Sequence, residues 1–240
     1  MELMRLSKYL SQKGFCSRRE AEGLIDLGQI KVNGIVVTAQ GTKIHPNDTV
    51  ELLSRAQKIL ESKVTILLHK PLGYVSNLPE KGYLPAIDLI TAENQIKKPN
   101  EPAFVLSMKK KLAVAGRLDI DSKGLLVLTQ DGTVAKKLVS SGLEKEYLVR
   151  VLGEVAPLML SKLSFGLSLD GQPLKKARIA LLEPGLLKFI LTEGKKRQIR
   201  RMCELVGLKV VGLKRVRIGK IVLGDLPVGK WRFLKPHEAF

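Results

Sequence analysis

Two carboxylates lie in a short polar loop between two apolar runs, and they are the best candidates for acid–base or nucleophilic work. Asp119 and Asp121 belong to the segment 116–124, which follows the apolar run 112–115 and precedes the run 125–129. Gly116 and Gly124 allow another backbone to approach closely. A carboxylate fixed between two core strands can act as a nucleophile or a base. A turn with two solvated aspartates explains the same residues equally well. A magnesium nuclease would need a third acid, which this loop lacks.

A strongly basic segment follows later in the chain. Residues 195–220 contain ten Lys and Arg against one Glu, a local charge of +9. A helix predicted over 196–206 has an apolar face with helical spacing, formed by Ile199, Met202, Cys203 and Val206. Its other face contains Arg197, Arg200, Arg201 and Glu204. More Arg and Lys follow on the next strand, so phosphate contact is favoured over a merely solvated face. Cys203 belongs to the buried face and is expected to be a core residue.

A tyrosine occurs on a predicted strand that alternates between polar and apolar residues. The alternation places Lys145, Tyr147 and Val149 on one face of that strand. Taken alone, a single Tyr in this setting indicates packing at the edge of the core more than chemistry.

The charge composition indicates which class of molecule the protein binds. The 240 residues include 41 Lys and Arg against 23 Asp and Glu, a net charge of +18, and such a charge attracts polyanions. Nucleic acid is the first interpretation, ahead of a solvated basic surface. An anionic membrane would require a long amphipathic basic helix, and the sequence has none. Two distant cysteines and three scattered histidines predict neither a disulfide framework nor a metal site.

Two further patterns concern cofactors and compartment. No phosphate-binding glycine loop, dinucleotide fingerprint or hydrolase motif is present, so we expect no cofactor. No apolar run approaches 18 residues, and the first residues lack a secretory signal pattern. The expected compartment is therefore a reducing cytoplasm.

The elements that must position these residues fall into two units. Residues 5–53 predict helices over Leu6–Gln12 and from Ser17 to Gly28, where Ser17 and Glu20 form a capping box. Asn33-Gly34 predicts a hairpin between 29–32 and 35–37, and a further strand covers 49–53. Residues 54–63 are polar and predict a linker.

The second unit predicts an α+β fold. Strands are expected at 64–68, 125–129, 145–152, 178–182, 186–192 and 210–218, with helices near 132–140, 157–163 and 196–206. Because strands often follow strands, the sheet should be largely antiparallel. Residues 94–111, which include Lys97, Lys98 and Lys109, predict a basic surface loop.

Several motifs in this order resemble a known family. The runs RLSKYL (5–10), SRREA (17–21) and GQIKVNG (28–34) resemble the S4 RNA-binding domain. The runs LHKPLGYVS (68–76), GRLD (116–119) with Gly124 and Leu125, KEY (145–147) and GKKRQIRRM (194–202) resemble the RsuA family of pseudouridine synthases. The runs EKEY (144–147) and RQIRRMCE (197–204) are most like the RluF type, which acts on large-subunit rRNA. Segment 77–111 departs from the family pattern, being longer and richer in lysine.

The resemblance implies an S4 domain over 1–55, a linker over 56–63 and a catalytic domain over 64–240. It implies an enzyme that isomerises a uridine of ribosomal RNA, most naturally 23S rRNA, to pseudouridine without a cofactor. The catalytic positions of the family fall on Asp119, Tyr147 and Arg200, with Arg200 holding the Asp119 carboxylate, and Asp121 matches none of them. The same chemistry on 16S rRNA and a non-catalytic factor for ribosome assembly are the alternatives.

Partners follow from the same reasoning. We expect a monomer that binds a structured stem-loop of rRNA, either free or in a subunit precursor, and no membrane. The expected RNA contacts are basic side chains of both units: Arg5, Lys8, Arg18, Arg19, Lys31, Arg117, Lys195, Lys196, Arg197 and Arg201.

Overall fold

A computed structural model describes residues 2–77, 82–97, 99, 101–140 and 142–240. Lys98, one of the lysines of the expected basic loop, lies outside these residues. No helix in the described part is long and apolar enough to cross a membrane.

The N-terminal unit contains three helices and two small sheets, one of two strands and one of three. Its elements are β1 (Met4–Arg5), α1 (Leu6–Gln12), α2 (Arg18–Asp26), β2 (Ile30–Val32), β3 (Ile35–Val37), β4 (Lys43–Ile44), β5 (Val50–Leu52) and α3 (Ser54–Glu61). The capping box is confirmed, since the Ser17 N–H donates to Glu20 Oε2 at 2.7 Å and the Glu20 N–H donates to Ser17 Oγ at 3.4 Å. The hairpin is confirmed too: Asn33 and Gly34 both have positive φ, as a tight turn requires.

The expected linker is instead a helix of this first unit. Residues 54–61 form α3, and Ala56 is fully buried in the core cluster that also contains Leu6, Leu10 and Ile30. Leu60, four residues later, packs against the same cluster. The segment was predicted to be a linker because it is short and polar. Only two of its apolar side chains, Ala56 and Leu60, face the core of this unit.

The two units touch through the capping box. Lys63 Nζ lies 2.6 Å from Glu20 Oε1, and the same oxygen accepts the N–H of Gly132 at 3.3 Å. Gly132 is the first residue of α4. The Glu20 carboxylate therefore caps the start of α2 in the first unit and also contacts the N-terminus of α4 in the second.

The second unit is built on a nine-stranded sheet, which confirms the α+β prediction. The strands of that sheet are β6 (Thr65–Lys70), β9 (Ala113–Ala115), β10 (Lys123–Thr129), β11 (Lys145–Leu152), β14 (Arg178–Glu183), β15 (Leu186–Leu191), β16 (Lys209–Ile218), β17 (Ile221–Val222) and β18 (Trp231–Phe233). Two separate two-stranded sheets are formed by β7 (Tyr74–Val75) with β8 (Leu84–Pro85) and by β12 (Ser168–Leu169) with β13 (Gln172–Pro173). Its helices are α4 (Gly132–Val139), α5 (Pro157–Ser164) and α6 (Gln198–Leu205), with 3-10 turns at Ala86–Leu89 and Leu106–Lys109.

Strand order explains where a site can form. The main path is β14-β15-β11-β16-β10-β6-β18, with β17 added to β16 and β9 to β10. Of the pairs along this path only β10 and β16 run parallel, as Lys123 pairs with Lys214 and Gly124 with Arg215. The segment 116–122 enters β10 at this parallel junction, next to the end of β6. One face of the sheet carries the main core, in which Trp231, Phe189 and Leu68 are fully buried.

The lysine-rich segment is not simply a surface loop. Phe104 packs edge-on against Trp231, with ring centroids 5.8 Å apart, and Met108 also packs on the main core. The Gln95 side chain accepts the Phe104 N–H at 3.0 Å and donates to the Pro102 carbonyl at 2.9 Å. These apolar anchors hold the segment onto the sheet, while Lys110 and Lys111 are exposed and Lys109 is half-buried.

Candidate active site

The aspartate loop, residues 116–122, connects β9 to β10 and bends back on itself. The Ser122 N–H donates to the Asp119 carbonyl at 3.1 Å, which closes a turn with Ile120 and Asp121 at its corners. Both carboxylates are partly exposed, whereas Leu118 is buried between them and the core. The loop therefore presents Asp119 and Asp121 from a backbone that is anchored on the sheet.

The segment after β6 clamps this loop from one side. The buried hydroxyl of Ser76 accepts the Leu118 N–H at 2.9 Å and donates to the Leu118 carbonyl through a short hydrogen bond. The Gly73 N–H donates to the Ile120 carbonyl at 3.0 Å. The residues on both sides of Asp119 are thus fixed through their main chain, which makes the position of its carboxylate reproducible.

A buried lysine supports the loop from below. Lys70 is fully buried at the end of β6, and its ammonium donates to the Ser122 and Pro71 carbonyls, each at 2.8 Å. Burial lowers the pKa of Lys70 to about 8, although the charges of Asp121 and then Asp119 raise it. Lys70 therefore both ties the end of the loop to β6 and places a positive charge beneath the two carboxylates.

A buried arginine holds the start of the loop. Arg215 on β16 is 1% exposed, and its guanidinium donates to the carbonyls of Leu125 at 2.8 Å, Gly116 at 2.7 Å and Arg117 at 3.4 Å. Gly124 makes this contact possible, because a Cβ at that position would lie 2.2 Å from the Arg215 carbonyl oxygen. A glycine is required there by the close approach of β10 and β16.

Helix α6 reaches the loop through two arginines, but not in the expected way. Arg200 Nη2 lies 3.1 Å from Asp121 Oδ2 and 2.7 Å from the Asp121 carbonyl oxygen, and Nη1 donates to the Val210 carbonyl at 3.2 Å. Arg197 donates to both Asp121 oxygens at 3.1–3.3 Å. Among the described residues no ion pair joins Arg200 to Asp119. The expected Asp119–Arg200 pair is corrected: the carboxylate that pairs with Arg200 is that of Asp121, at a corner of the turn.

Tyr147 lies on the inner face of β11, as the alternation predicted. Lys145, Tyr147, Val149 and Val151 are all buried, and the residues between them are more exposed. Register places Tyr147 opposite Arg215, the residue that holds the start of the aspartate loop. Lys145 lies two residues before Tyr147, and burial lowers the pKa of its ammonium, as does the neighbouring Arg215 charge. The tyrosine is therefore coupled to the loop through one shared arginine.

The basic residues that were predicted to contact RNA differ in how exposed their side chains are. Arg5, Lys8, Arg18, Arg19, Arg117, Lys196 and Arg197 are exposed, whereas Lys31, Lys195 and Arg201 are half-buried. Arg201 pairs bidentately with Asp170 at 2.6–2.9 Å.

The apolar face of α6 is confirmed, and Cys203 within it is fully buried, which raises the pKa of its thiol to about 12. Cys203 is therefore a core residue, as expected.

Sequence reasoning missed three residues that shape the site, Lys70, Ser76 and Arg215, and it assigned no role to Asp121. Lys70 and Ser76 lie within a run that the resemblance had marked, yet their partners are main-chain atoms, which no side-chain pattern reveals. The glycine at 124 was a usable signal for Arg215, because a glycine inside an apolar run indicates a close backbone approach. In the described part of the chain no group of three His, Cys, Asp or Glu side chains is placed to hold a metal.

Comparisons with known proteins agree on both units. A family model for the S4 domain matches residues 4–50, and one for RNA pseudouridylate synthase matches residues 64–205. The dual-specificity RNA pseudouridine synthase RluF of Escherichia coli strain K12 is 35% identical over 239 residues, covering 98% of this chain and 77% of that protein. The ribosomal large subunit pseudouridine synthase B of Bacillus subtilis strain 168 is 35% identical, with 98% and 93% covered. A crystal structure of a pseudouridylate synthase superposes with a TM-score of 0.65 at 27% identity, covering 97% of this chain and 96% of that one.

Proposed function

Because the chain belongs to the RsuA family of RNA pseudouridine synthases, we propose that it isomerises one uridine of ribosomal RNA, in 23S rRNA, to pseudouridine. The name of the Bacillus relative, which specifies the large ribosomal subunit, supports this choice of RNA. The net charge of +18 supports a polyanionic substrate.

The reaction exchanges one bond to the ribose for another. The bond from uracil N1 to the ribose anomeric carbon breaks, the base turns, and C5 bonds to the same carbon while its proton leaves and N1 gains one. No atom or electron is lost overall, so no redox partner is needed. We assign the attacking or assisting carboxylate to Asp119. Attack on the sugar, attack on the base and assistance to a glycal-like intermediate are all compatible with one fixed carboxylate.

The anchoring of the aspartate loop is the observation that carries this proposal. Ser76, Gly73, Lys70 and Arg215 hold its main chain at Leu118, Ile120, Ser122 and Gly116. Holding a reacting group in place before substrate arrives contributes strongly to catalysis. A solvated turn would not need a buried lysine and a buried arginine committed to its carbonyls, because burying such charges costs stability.

Tyr147 and Arg200 take supporting roles in the proposal. The target base must leave its stack, which costs a few kcal/mol, and an aromatic ring can then stack on it. Tyr147 is our candidate for that ring, with its hydroxyl near the carbon that loses a proton. Arg200 acts on the loop through Asp121 and contributes positive charge beside it. Arg117, Lys195, Lys196, Arg197 and Arg201 supply phosphate contacts that offset the cost of flipping the base.

The S4 domain selects where the enzyme docks. Its exposed basic residues Arg5, Lys8, Arg18 and Arg19, with the half-buried Lys31, suit a structured RNA whose shape and phosphates are read. We propose a stem-loop substrate, a monomeric enzyme and action in the cytoplasm.

Replacing Asp119 tests the catalytic assignment. Asp119→Asn keeps the size of the side chain and removes its charge, so it should abolish pseudouridine formation in rRNA fragments while RNA affinity stays within about threefold. Asp88→Asn, at an exposed aspartate of the same domain, is the matched control. Wild-type turnover by Asp119→Asn would disprove the assignment.

Mapping pseudouridines by chemical probing in cells lacking the protein tests the choice of RNA. Loss of one site in 23S rRNA is expected. Loss of a site in 16S rRNA instead would show that 16S rRNA is the substrate. If no pseudouridine is lost, the protein is better explained as a non-catalytic factor for ribosome assembly.

A further inference from the structure

We propose that Asp121 is the positioning residue of this active site: one carboxylate that binds Arg197 and Arg200 together and so locks helix α6 onto the loop that carries Asp119. This inference rests on the proposed function, and it gives a role to a residue that matches no catalytic position of the family resemblance.

The geometry around Asp121 is that of a bridge. Arg197 reaches both carboxylate oxygens at 3.1–3.3 Å, while Arg200 binds one of them at 3.1 Å and the Asp121 carbonyl at 2.7 Å. A single residue thus receives two guanidinium groups from the first turn of α6. Charge-assisted, bidentate hydrogen bonds of this kind are the strongest that side chains make.

Arg197 combines an unfavourable backbone conformation with its part in this bridge. Its φ is 51° and its ψ 31°, the left-handed region, which side chains other than glycine rarely adopt. Arg197 is the N-cap of α6, so its conformation sets how the helix begins. Strained residues persist where surrounding contacts overdetermine them, and they concentrate at functional sites. The Gln198 N–H donates to the Lys195 carbonyl at 3.1 Å and closes the turn that contains Arg197, and the Arg197 side chain is held in addition by its hydrogen bonds to both Asp121 oxygens.

Arg200 is committed to the same junction. Its side chain is only 11% exposed, and its Nη atoms bind Asp121 and the Val210 carbonyl. Its Nε is buried and has no hydrogen-bond partner in the described part of the chain. Without Asp121, this guanidinium would be a nearly buried charge with carbonyl partners alone, which is costly. We therefore expect its position to depend on the Asp121 carboxylate.

The turn transmits this constraint to Asp119. Asp121 occupies a corner of the turn that the Ser122 N–H closes onto the Asp119 carbonyl. Movement of Asp121 therefore moves the backbone of Asp119, and a displacement of about 1 Å at a reacting group can cost about 100-fold in rate. Asp121 acts through its neighbours rather than on the substrate.

The test compares two aspartates that each pair with an arginine of the same helix segment. Asp121→Asn should lower the single-turnover rate at saturating enzyme by about 10- to 100-fold and change the dissociation constant for RNA by less than about threefold. Asp170→Asn breaks the Arg201–Asp170 pair, which lies at the surface, and should leave that rate within about twofold. Asp121→Glu, which keeps the charge, should recover part of the loss.

A mutant cycle identifies the route of the effect. If Asp121 acts through its two arginines, adding Asp121→Asn to a variant that already carries Arg197→Gln and Arg200→Gln should slow that variant no further. A further loss of rate on that background would show that Asp121 works independently of both arginines, and that result would overturn the inference. So would a wild-type rate in Asp121→Asn.

Amide hydrogen exchange separates this inference from the proposed reaction, since it needs no substrate. In the RNA-free protein, exchange in a peptide spanning 116–124 should be faster in Asp121→Asn than in wild type and unchanged in Asp170→Asn. Wild-type protein that isomerises no uridine, together with this change in exchange, would refute the reaction and leave the bridge intact. Unchanged exchange in Asp121→Asn would refute the bridge whatever the activity.

Discussion

Removing the Ser76 hydroxyl, which contacts the aspartate loop, should lower both the free energy of unfolding and the single-turnover rate. Ser76 is 4% exposed, and its Oγ satisfies both main-chain polar groups of Leu118, the residue before Asp119. Ser76→Ala removes this oxygen without adding bulk. The substitution therefore leaves a buried N–H and a buried carbonyl without the partner that the loop provides for them.

The magnitude follows from those two groups. An unsatisfied buried donor or acceptor costs about 1–3 kcal/mol, and water entering the vacated space recovers part of the sum. We expect the free energy of unfolding to fall by about 2–4 kcal/mol. The rate should fall as well, because Leu118 then loses the contact that fixes the backbone before Asp119; a shift of about 1 Å corresponds to roughly 100-fold.

The assay uses a built-in reporter. Trp231 is the single tryptophan, is fully buried in the same core and loses its edge-on contacts with Phe104 and Phe233 on unfolding, so its fluorescence follows urea denaturation. Ser140→Ala is the matched control, because the Ser140 hydroxyl caps the exposed end of α4 on the Lys137 carbonyl. Equal, small losses of stability for the two serines, or a wild-type single-turnover rate for Ser76→Ala, would refute the reasoning.

Two further predictions concern the supports of the loop. Gly124→Ala places a Cβ 2.2 Å from the Arg215 carbonyl and should cost about 3 kcal/mol more in urea denaturation than Gly142→Ala, which has a similar φ of +110° and open space around it; equal costs would show that backbone conformation alone matters. Lys70 has a folded pKa of about 8, below the roughly 10.4 of an unfolded chain, so between these values the unfolded state holds more protons and stability rises with pH. The unfolding free energy of wild type minus that of Lys70→Met should therefore increase by up to about 1.4 kcal/mol per pH unit from pH 8 to 10.4, and a flat difference would contradict the buried charge.

Local patterns predicted those elements whose determinants are close in sequence. The capping box of Ser17 and Glu20 and the alternation of β11 concern residues at most a few positions apart, and the structure confirms both. Helix α3 was missed for the opposite reason. Its inward stripe has only Ala56 and Leu60, and their burial depends on a core formed by residues far earlier in the chain.

The candidate site was predictable in its residue types and not in its pairings. The resemblance located the aspartate loop and the arginines of α6 correctly as neighbours. It could not say which carboxylate faces α6, because that depends on the turn closed by Ser122 and Asp119. The roles of residues whose partners are carbonyl oxygens were equally hidden, since every residue offers the same main-chain acceptor.

This dependence on carbonyl partners has an energetic consequence for the whole site. Lys70 and Arg215 donate their hydrogen bonds to main-chain oxygens, which satisfy the donors but do not neutralise the positive charges, whereas Arg200 also pairs with the Asp121 carboxylate. Buried cations need a counter-charge, and Asp121 and Asp119 are the acids that stabilise the charge of Lys70. The acids of the loop therefore help to stabilise the buried cation that anchors the end of the loop to β6.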